Sequence, residues 1–170
     1  MGESGGKWEK LYLCNRKPSK RKMSYPIGHF YCNLDSKGRV SFPSEFKEQF
    51  GDQVNEGFVL HPAPYVKCLE LYTVKDWRDL LTRLSEKLSQ FKRKQEAVMR
   101  RYDSKSRLVK LDSNGRLLIP KDLIEEGLLE KEIVITSVMT KMEIWNKELY
   151  EQSRDTEISD EEYFDILENL

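Results

Sequence analysis

Hydrophobic and polar positions follow two periods along this chain, and the switches between them mark out short elements. Gly28–Leu34 is rich in β-formers, Asp35-Ser36-Lys37-Gly38 has the chemistry of a tight turn, and Arg39–Phe42 resumes alternation, which predicts a β-hairpin. Gly38 can take positive φ without steric cost, and Asp35 and Ser36 can satisfy turn amides with their side chains. Pro43 suits the first position of a short amphipathic helix to about Phe50, with Phe46 and Phe50 on one face and Gly51 ending it. Gly57–Leu60 and Cys68–Tyr72 predict a second strand pair around a loop holding Pro62 and Pro64. Thr73 followed by Asp76 reads as a helix N-cap. From there one long charged helix is predicted over about Val74–Arg101, with Trp77, Leu80, Leu81, Leu84 and Leu88 spaced as one buried stripe.

The same plan then recurs. Leu34, Asp35, Ser36, Gly38, Arg39 and Pro43 reappear 77 positions later as Leu111, Asp112, Ser113, Gly115, Arg116 and Pro120, with Val40 and Phe42 matched by Leu117 and Ile119. Leu69-Glu70-Leu71-Tyr72 corresponds to Met142-Glu143-Ile144-Trp145 at an offset of 73, so the second copy is four residues shorter between its strand pairs. A strand up to Leu111, a strand Arg116–Ile119, a helix from Pro120 to Gly127, strands Ile133–Val138 and Met142–Trp145, and a helix capped by Asn146 are expected. The fold class is α+β, mainly β with helices. The organisation read from the chain is a flexible basic arm (1–25), a first module with its long helix (26–102), a second module (103–152) and an acidic tail (153–170). For the arm two readings stand side by side: a functional extension, or residues upstream of a translation start at Met23.

Formal charge is zero, with 29 basic and 29 acidic residues, but it is unevenly placed. Residues 1–23 hold seven Lys/Arg against two Glu, residues 83–110 ten basic against three acidic, and residues 151–170 one Arg against eight Asp/Glu. A local positive field therefore precedes the second module, and a negative one follows it. Three cysteines (Cys14, Cys32, Cys68) without a CxxC pair support neither a disulfide framework nor a zinc site, so a reducing cytoplasm is expected. No segment has the roughly 18 apolar residues of a membrane span, and no secretory signal opens the chain.

The repeated turn is the candidate chemistry. A Gly-containing turn alone says nothing of activity, but packing does not call for a basic residue after the glycine in both copies. Arg39 and Arg116 can fork onto phosphate or onto guanine acceptors in a major groove. Lys37 adds a charged donor at the first turn, where Asn114 offers the second only hydrogen bonding, so the two turns are expected to read DNA unequally. Asp35, Gly38, Asp112 and Gly115 are read as turn scaffold, the carboxylates either accepting turn amides or orienting Arg39 and Arg116. The run Lys92-Arg93-Lys94 with Arg100-Arg101 reads as a solvated helix face, with backbone contact to DNA as the alternative. His29 and His61 stand in no nucleophile motif, and no phosphate-cradling Gly-rich loop is present; no catalytic residue, cofactor, metal or small-molecule substrate is expected. Tyr72, Trp77 and Trp145 are assigned to the core or an interface.

Leu-Asp-x-x-Gly-Arg followed by apolar-Pro and a short helix, appearing twice and closing in Leu-Glu-Leu-Tyr and Met-Glu-Ile-Trp, resembles the MraZ family of the AbrB-like swapped-hairpin superfamily over about residues 26–152. The resemblance implies two tandem AbrB-like half-barrels joined in one pseudo-symmetric fold. It also implies a cytoplasmic, nucleoid-associated transcriptional repressor, assembled as a homo-oligomeric ring, that binds double-stranded DNA at tandem repeats upstream of the division and cell-wall genes, its own included. The family's Asp and Arg positions fall on Asp35, Arg39, Asp112 and Arg116. The 25 residues ahead of the first strand, Tyr102–Arg107 before the second turn, and the acidic end lie outside the resembling pattern. The alternative is an AbrB-like antitoxin or interaction protein whose acidic tail folds on a protein partner, with Tyr163, Ile166, Leu167 and Leu170 on one helix face.

Overall fold

The computed structural model describes residues 26–88, 92–156 and 158–170; the basic arm, with Cys14, lies outside them. In chain order the first copy comprises β1 (His29–Asn33), β2 (Arg39–Ser41), α1 (Ser44–Phe50), α2 (Gln53–Glu56), β3 (Phe58–Pro62), β4 (Cys68–Thr73), α3 (Val74–Lys87) and α4 (Arg93–Ser104). The second comprises β5 (Arg107–Val109), β6 (Arg116–Leu118), α5 (Lys121–Glu126), β7 (Glu132–Val138), β8 (Lys141–Asn146), α6 (Lys147–Thr156) and α7 (Asp160–Glu168). The class is α+β, an antiparallel sheet with helices.

The two copies exchange strands. The six-stranded sheet runs β1-β7-β8-β4-β3-β5, so the first strand of each copy pairs with the other copy's sheet half, and β2 pairs with β6 in a separate two-stranded ribbon. Interchanging the copies reverses that order onto itself, placing one pseudo-twofold axis that passes between β4 and β8 and between β2 and β6. One core, between the ribbon and the inner sheet face, joins Val40, Phe46, Phe58, Leu60 and Leu71 of the first copy to Leu117, Ile133, Ile135 and Ile144 of the second. On the outer face α3 lies against β3 and β4, and α6 against β7 and β8.

The repeated Leu-Glu-Leu-Tyr and Met-Glu-Ile-Trp segments meet on this dyad, where Glu70 stands directly across from Glu143. Each glutamate accepts from the aromatic residue two positions on: Tyr72 Oη donates to Glu70 at 2.8 Å and Trp145 Nε1 to Glu143 at 2.9 Å. Lys141 bridges the two carboxylates, its Nζ lying 2.9 Å from Glu143 Oε1 and also bonded to Glu70. Burial works against the Lys141 charge, but hydrogen bonds to Glu70 and Glu143 outweigh it and raise its pKa. The motif is thus structural: two like charges that face each other across strands are held by one cation and two aromatic donors.

Several sequence expectations need adjustment. The single helix over Val74–Arg101 is broken: Leu88 leaves helical backbone at φ −108°, ψ 131°, and α4 restarts at Arg93. A straight helix would have carried its apolar residues away from the sheet; folding back stacks Tyr102 on Trp77 at 5.7 Å and 6°, and returns the chain to place β5 beside β3. Of the expected stripe only Trp77 is fully buried. Pro43 and Pro120 precede α1 and α5 rather than opening them, with extended ψ of 131° and 145°. The strand expected to reach Leu111 ends at Val109, and Leu111 rejoins through a lone bridge to Leu117, as Leu34 does with Val40. The caps form as read: Thr73 Oγ1 accepts from Asp76 N at 3.1 Å, and Asn146 Oδ1 accepts from Glu148 N at 2.9 Å.

Candidate nucleic-acid interface

The two turns are built alike from their own residues. In the first, Asp35 Oδ1 accepts from the amides of Lys37 and Arg39, both at 2.9 Å, while Gly38 N donates to Asp35 O at 2.9 Å with Gly38 at φ +78°. In the second, Asp112 Oδ1 accepts from Asn114 N at 2.8 Å and Arg116 N at 3.0 Å, with Gly115 at φ +71°. The other carboxylate oxygen holds the arginine: Asp35 Oδ2 takes Arg39 Nε at 2.8 Å and a terminal guanidinium nitrogen at 2.7 Å, and Asp112 Oδ2 takes the same atoms of Arg116 at 2.8 Å each. Both roles read for the aspartates therefore operate together. Hydrogen bonding from Arg39, side chain first and then backbone, lowers the Asp35 pKa to about 2, and Arg116 lowers that of Asp112 in the same way. Each guanidinium is fixed by its Nε edge and keeps further N–H groups for a ligand.

Strand register then places the arginines together. Arg39 pairs with Leu118, Val40 with Leu117 and Ser41 with Arg116. Val40 and Leu117 point into the core, at 1% and 0% exposure, so Arg39, Ser41, Arg116 and Leu118 share the outer face of the ribbon. Arg39 and Arg116 are diagonal neighbours across it, about 7–8 Å apart. They stand at the strand starts rather than the turn tips. The exposed tips are Lys37 and Asn114, at opposite ends of the antiparallel ribbon.

Sequence reasoning missed Lys47. Helix α1 brings its Nζ against the second turn, so close that a β-carbon built on Gly115 would lie 2.8 Å from it. With Lys110 and residues Asp112–Gly115 it lines a cleft of about 550 Å³. The signal lay in the 77-residue offset, which carries Lys47 onto Ile124, whose Cδ1 would lie 3.0 Å from a β-carbon on Gly38. The histidines fall on strands. His61 is 3% exposed, its ring tilted against that of Tyr102 at 4.1 Å between centroids, with Nδ1 3.2 Å from Ser106 Oγ; burial lowers its pKa, as for a core histidine.

A sequence model of the family described as "MraZ protein, putative antitoxin-like" matches residues 27–101 and 104–168. The chain belongs to the MraZ family. That match runs through α7, so it extends beyond the resembling pattern of residues 26–152 into the acidic end. Among the curated relatives, the MraZ protein of Christiangramia forsetii is 40% identical over 144 residues, covering 85% of this chain and 91% of its own. That of Flavobacterium psychrophilum is 38% identical over 148 residues, covering 87% and 92%, and that of a Thermoanaerobacter species 32% identical over 145 residues, covering 85% and 97%. All three relatives carry the name Transcriptional regulator MraZ, which is the name of a non-enzymatic role. Among the described residues no helix is long and apolar enough to cross a membrane, and no group of three or more His, Cys, Asp or Glu could hold a metal ion.

Proposed function

We propose that this member of the MraZ family regulates transcription by sequence-specific binding of double-stranded DNA, laying the β2–β6 ribbon in a major groove. Arg39 and Arg116 meet base edges or phosphates, and Lys37, Asn114 and Lys47 flank them. The observation that carries this reading is the diagonal pair of arginines on one solvent face, related by a pseudo-twofold and each held by an aspartate of its own turn. A two-stranded ribbon fits the major groove, about 12 Å wide, and a pre-oriented guanidinium can address a guanine bidentately. The clamps suit such a task because a ligand meets side chains already ordered. The finer features come from the family resemblance: repression at tandem repeats upstream of the division and cell-wall genes, its own gene included; assembly as a homo-oligomeric ring; and a cytoplasmic, nucleoid-associated location. Repetition of weak contacts along tandem sites raises occupancy through effective concentration.

The test is a mobility shift with the DNA just upstream of the chain's own gene. The Arg39→Ala/Arg116→Ala variant is expected to lose specific binding while keeping its circular dichroism spectrum. Specific binding retained by a folded double variant refutes the reading.

A further inference from the structure

The outer face of the ribbon carries a second pair of positions beside the arginines. Ser41 and Leu118 are equivalent by the 77-residue offset, and the register sets Leu118 directly across from Arg39 and Ser41 directly across from Arg116. Both must face outward. Leu117 and Ile119, on either side of Leu118, are buried at 0% and 1%, and Val40 and Phe42 are buried on either side of Ser41. The backbones match as well: Ile119 N donates to Gly38 O at 2.8 Å, and Phe42 N to Gly115 O at 3.1 Å. Ser41 is exposed, and Leu118 is 53% exposed.

Packing does not require this leucine. The fold accepts serine at the equivalent place on the same backbone, and an apolar side chain held out beside Arg39 leaves its surface in water. In a major groove its natural counterpart is the 5-methyl group of thymine, whereas a serine hydroxyl meets donors and acceptors alike and has no preference for that methyl. Directly opposed side chains on paired strands stand about 5 Å apart, and successive bases about 3.4 Å. Leu118 therefore reaches a base within about one or two steps of the one that Arg39 addresses.

We propose that Leu118 is a specificity-determining residue that reads a thymine methyl beside the base addressed by Arg39, while Ser41 gives the mirrored position no such preference. The inference rests on the proposed reading of DNA bases through the ribbon. Twofold symmetry in a DNA-binding surface is mirrored by a palindromic site. Here the arginines supply the symmetric part of the recognition, and the difference between Leu118 and Ser41 supplies a direction, so the ribbon binds its site in one orientation.

Fluorescence anisotropy tests this with a labelled duplex from just upstream of the chain's own gene, each thymine in turn being replaced by uracil, which removes only the methyl. The wild type is expected to lose about 4-fold in affinity at one such position, the worth of one apolar carbon withdrawn from water. Leu118→Ser, with circular dichroism reporting that it is folded, is expected to bind the thymine and uracil duplexes alike, both as weakly as the wild type binds the uracil one. Ser41→Leu is expected to gain a similar factor when a thymine is placed at the mirrored position. A leucine with a merely structural role would weaken both duplexes equally and keep the methyl preference. A wild type indifferent to every methyl, or a folded Leu118→Ser that keeps the preference, overturns the proposal; where Arg39→Ala/Arg116→Ala still abolishes binding, reading through the ribbon survives without it. Specific binding that persists in the folded double arginine variant overturns both.

Discussion

Replacing Lys47 with alanine removes a positive charge from the side of the second turn while leaving helix α1 with its best helix-forming residue. The size of the effect follows from counterion release. A lysine that neutralises one phosphate contributes about 0.9 to the slope of log affinity against log salt, which corresponds to about an 8-fold loss at roughly 0.1 M salt and about 3-fold at roughly 0.3 M. Lys37→Ala at the first turn is expected to cost a similar amount. The two stand at opposite ends of the ribbon, so the double variant should lose the product of the single losses and about twice the slope. Fluorescence anisotropy with a labelled duplex carrying one repeat, titrated across salt concentrations, measures both quantities. Wild-type affinity and slope in Lys47→Ala, beside a loss in Lys37→Ala, would refute the reasoning and leave the turns as unequal as Lys37 and Asn114 alone make them.

Two further outcomes test the turns themselves. Gly38→Ala and Gly115→Ala each force a β-carbon into left-handed backbone, at about 1–2 kcal/mol. Gly38→Ala should destabilise more, because its β-carbon would lie 2.9 Å from the Ile119 backbone oxygen, whereas at Gly115 the neighbour is the flexible end of Lys47; urea midpoints in the reverse order contradict this. The Asp35 carboxyl, held at about 2 against an ordinary 3.8 chiefly by the Arg39 side chain, should titrate by NMR with a midpoint near its lowered value and move up in Arg39→Ala. The sign follows from a pKa depressed by folding: the clamp's stabilisation is complete above 3.8 and lost as pH falls through about 2, so a wild-type midpoint at 3.8 removes the clamp.

What the sequence made legible is what neighbouring residues decide. The turns at Asp35–Gly38 and Asp112–Gly115 and the caps at Thr73 and Asn146 all form through bonds spanning four residues or fewer, and the strand alternation that buries Val40 and Leu117 is equally local. What stayed hidden depends on residues far apart. Nothing in the helical spacing of residues 74–101 signals that Tyr102 will stack on Trp77, since the stack exists only after the chain has doubled back to set β5 beside β3. Nor does Glu70 announce Glu143 as its partner. The shared Leu-Glu-Leu-Tyr and Met-Glu-Ile-Trp pattern is visible, but its cause, two carboxylates on a dyad bridged by Lys141, is not.

The same distinction decides how unequal the two turns are. Residue by residue they differ: the first carries Lys37 where the second carries Asn114, and by offset the second is faced by Lys47 where the first is faced by Ile124. Each difference alone would break the pseudo-twofold. Strand exchange brings the helix of one copy against the turn of the other, and the two differences then partly offset each other: the first turn carries Lys37 itself, and the second is faced from across the fold by Lys47, with Lys110 in the same cleft. A ribbon with Arg39 and Arg116 on its outer face thus has lysine at both of its ends although its sequence is asymmetric. If a DNA site is read through this ribbon, both halves of the site meet a positive field, and any preference between them at the ribbon's ends rests on the reach and direction of Lys37, Lys47 and Lys110 and on the hydrogen bonds of Asn114.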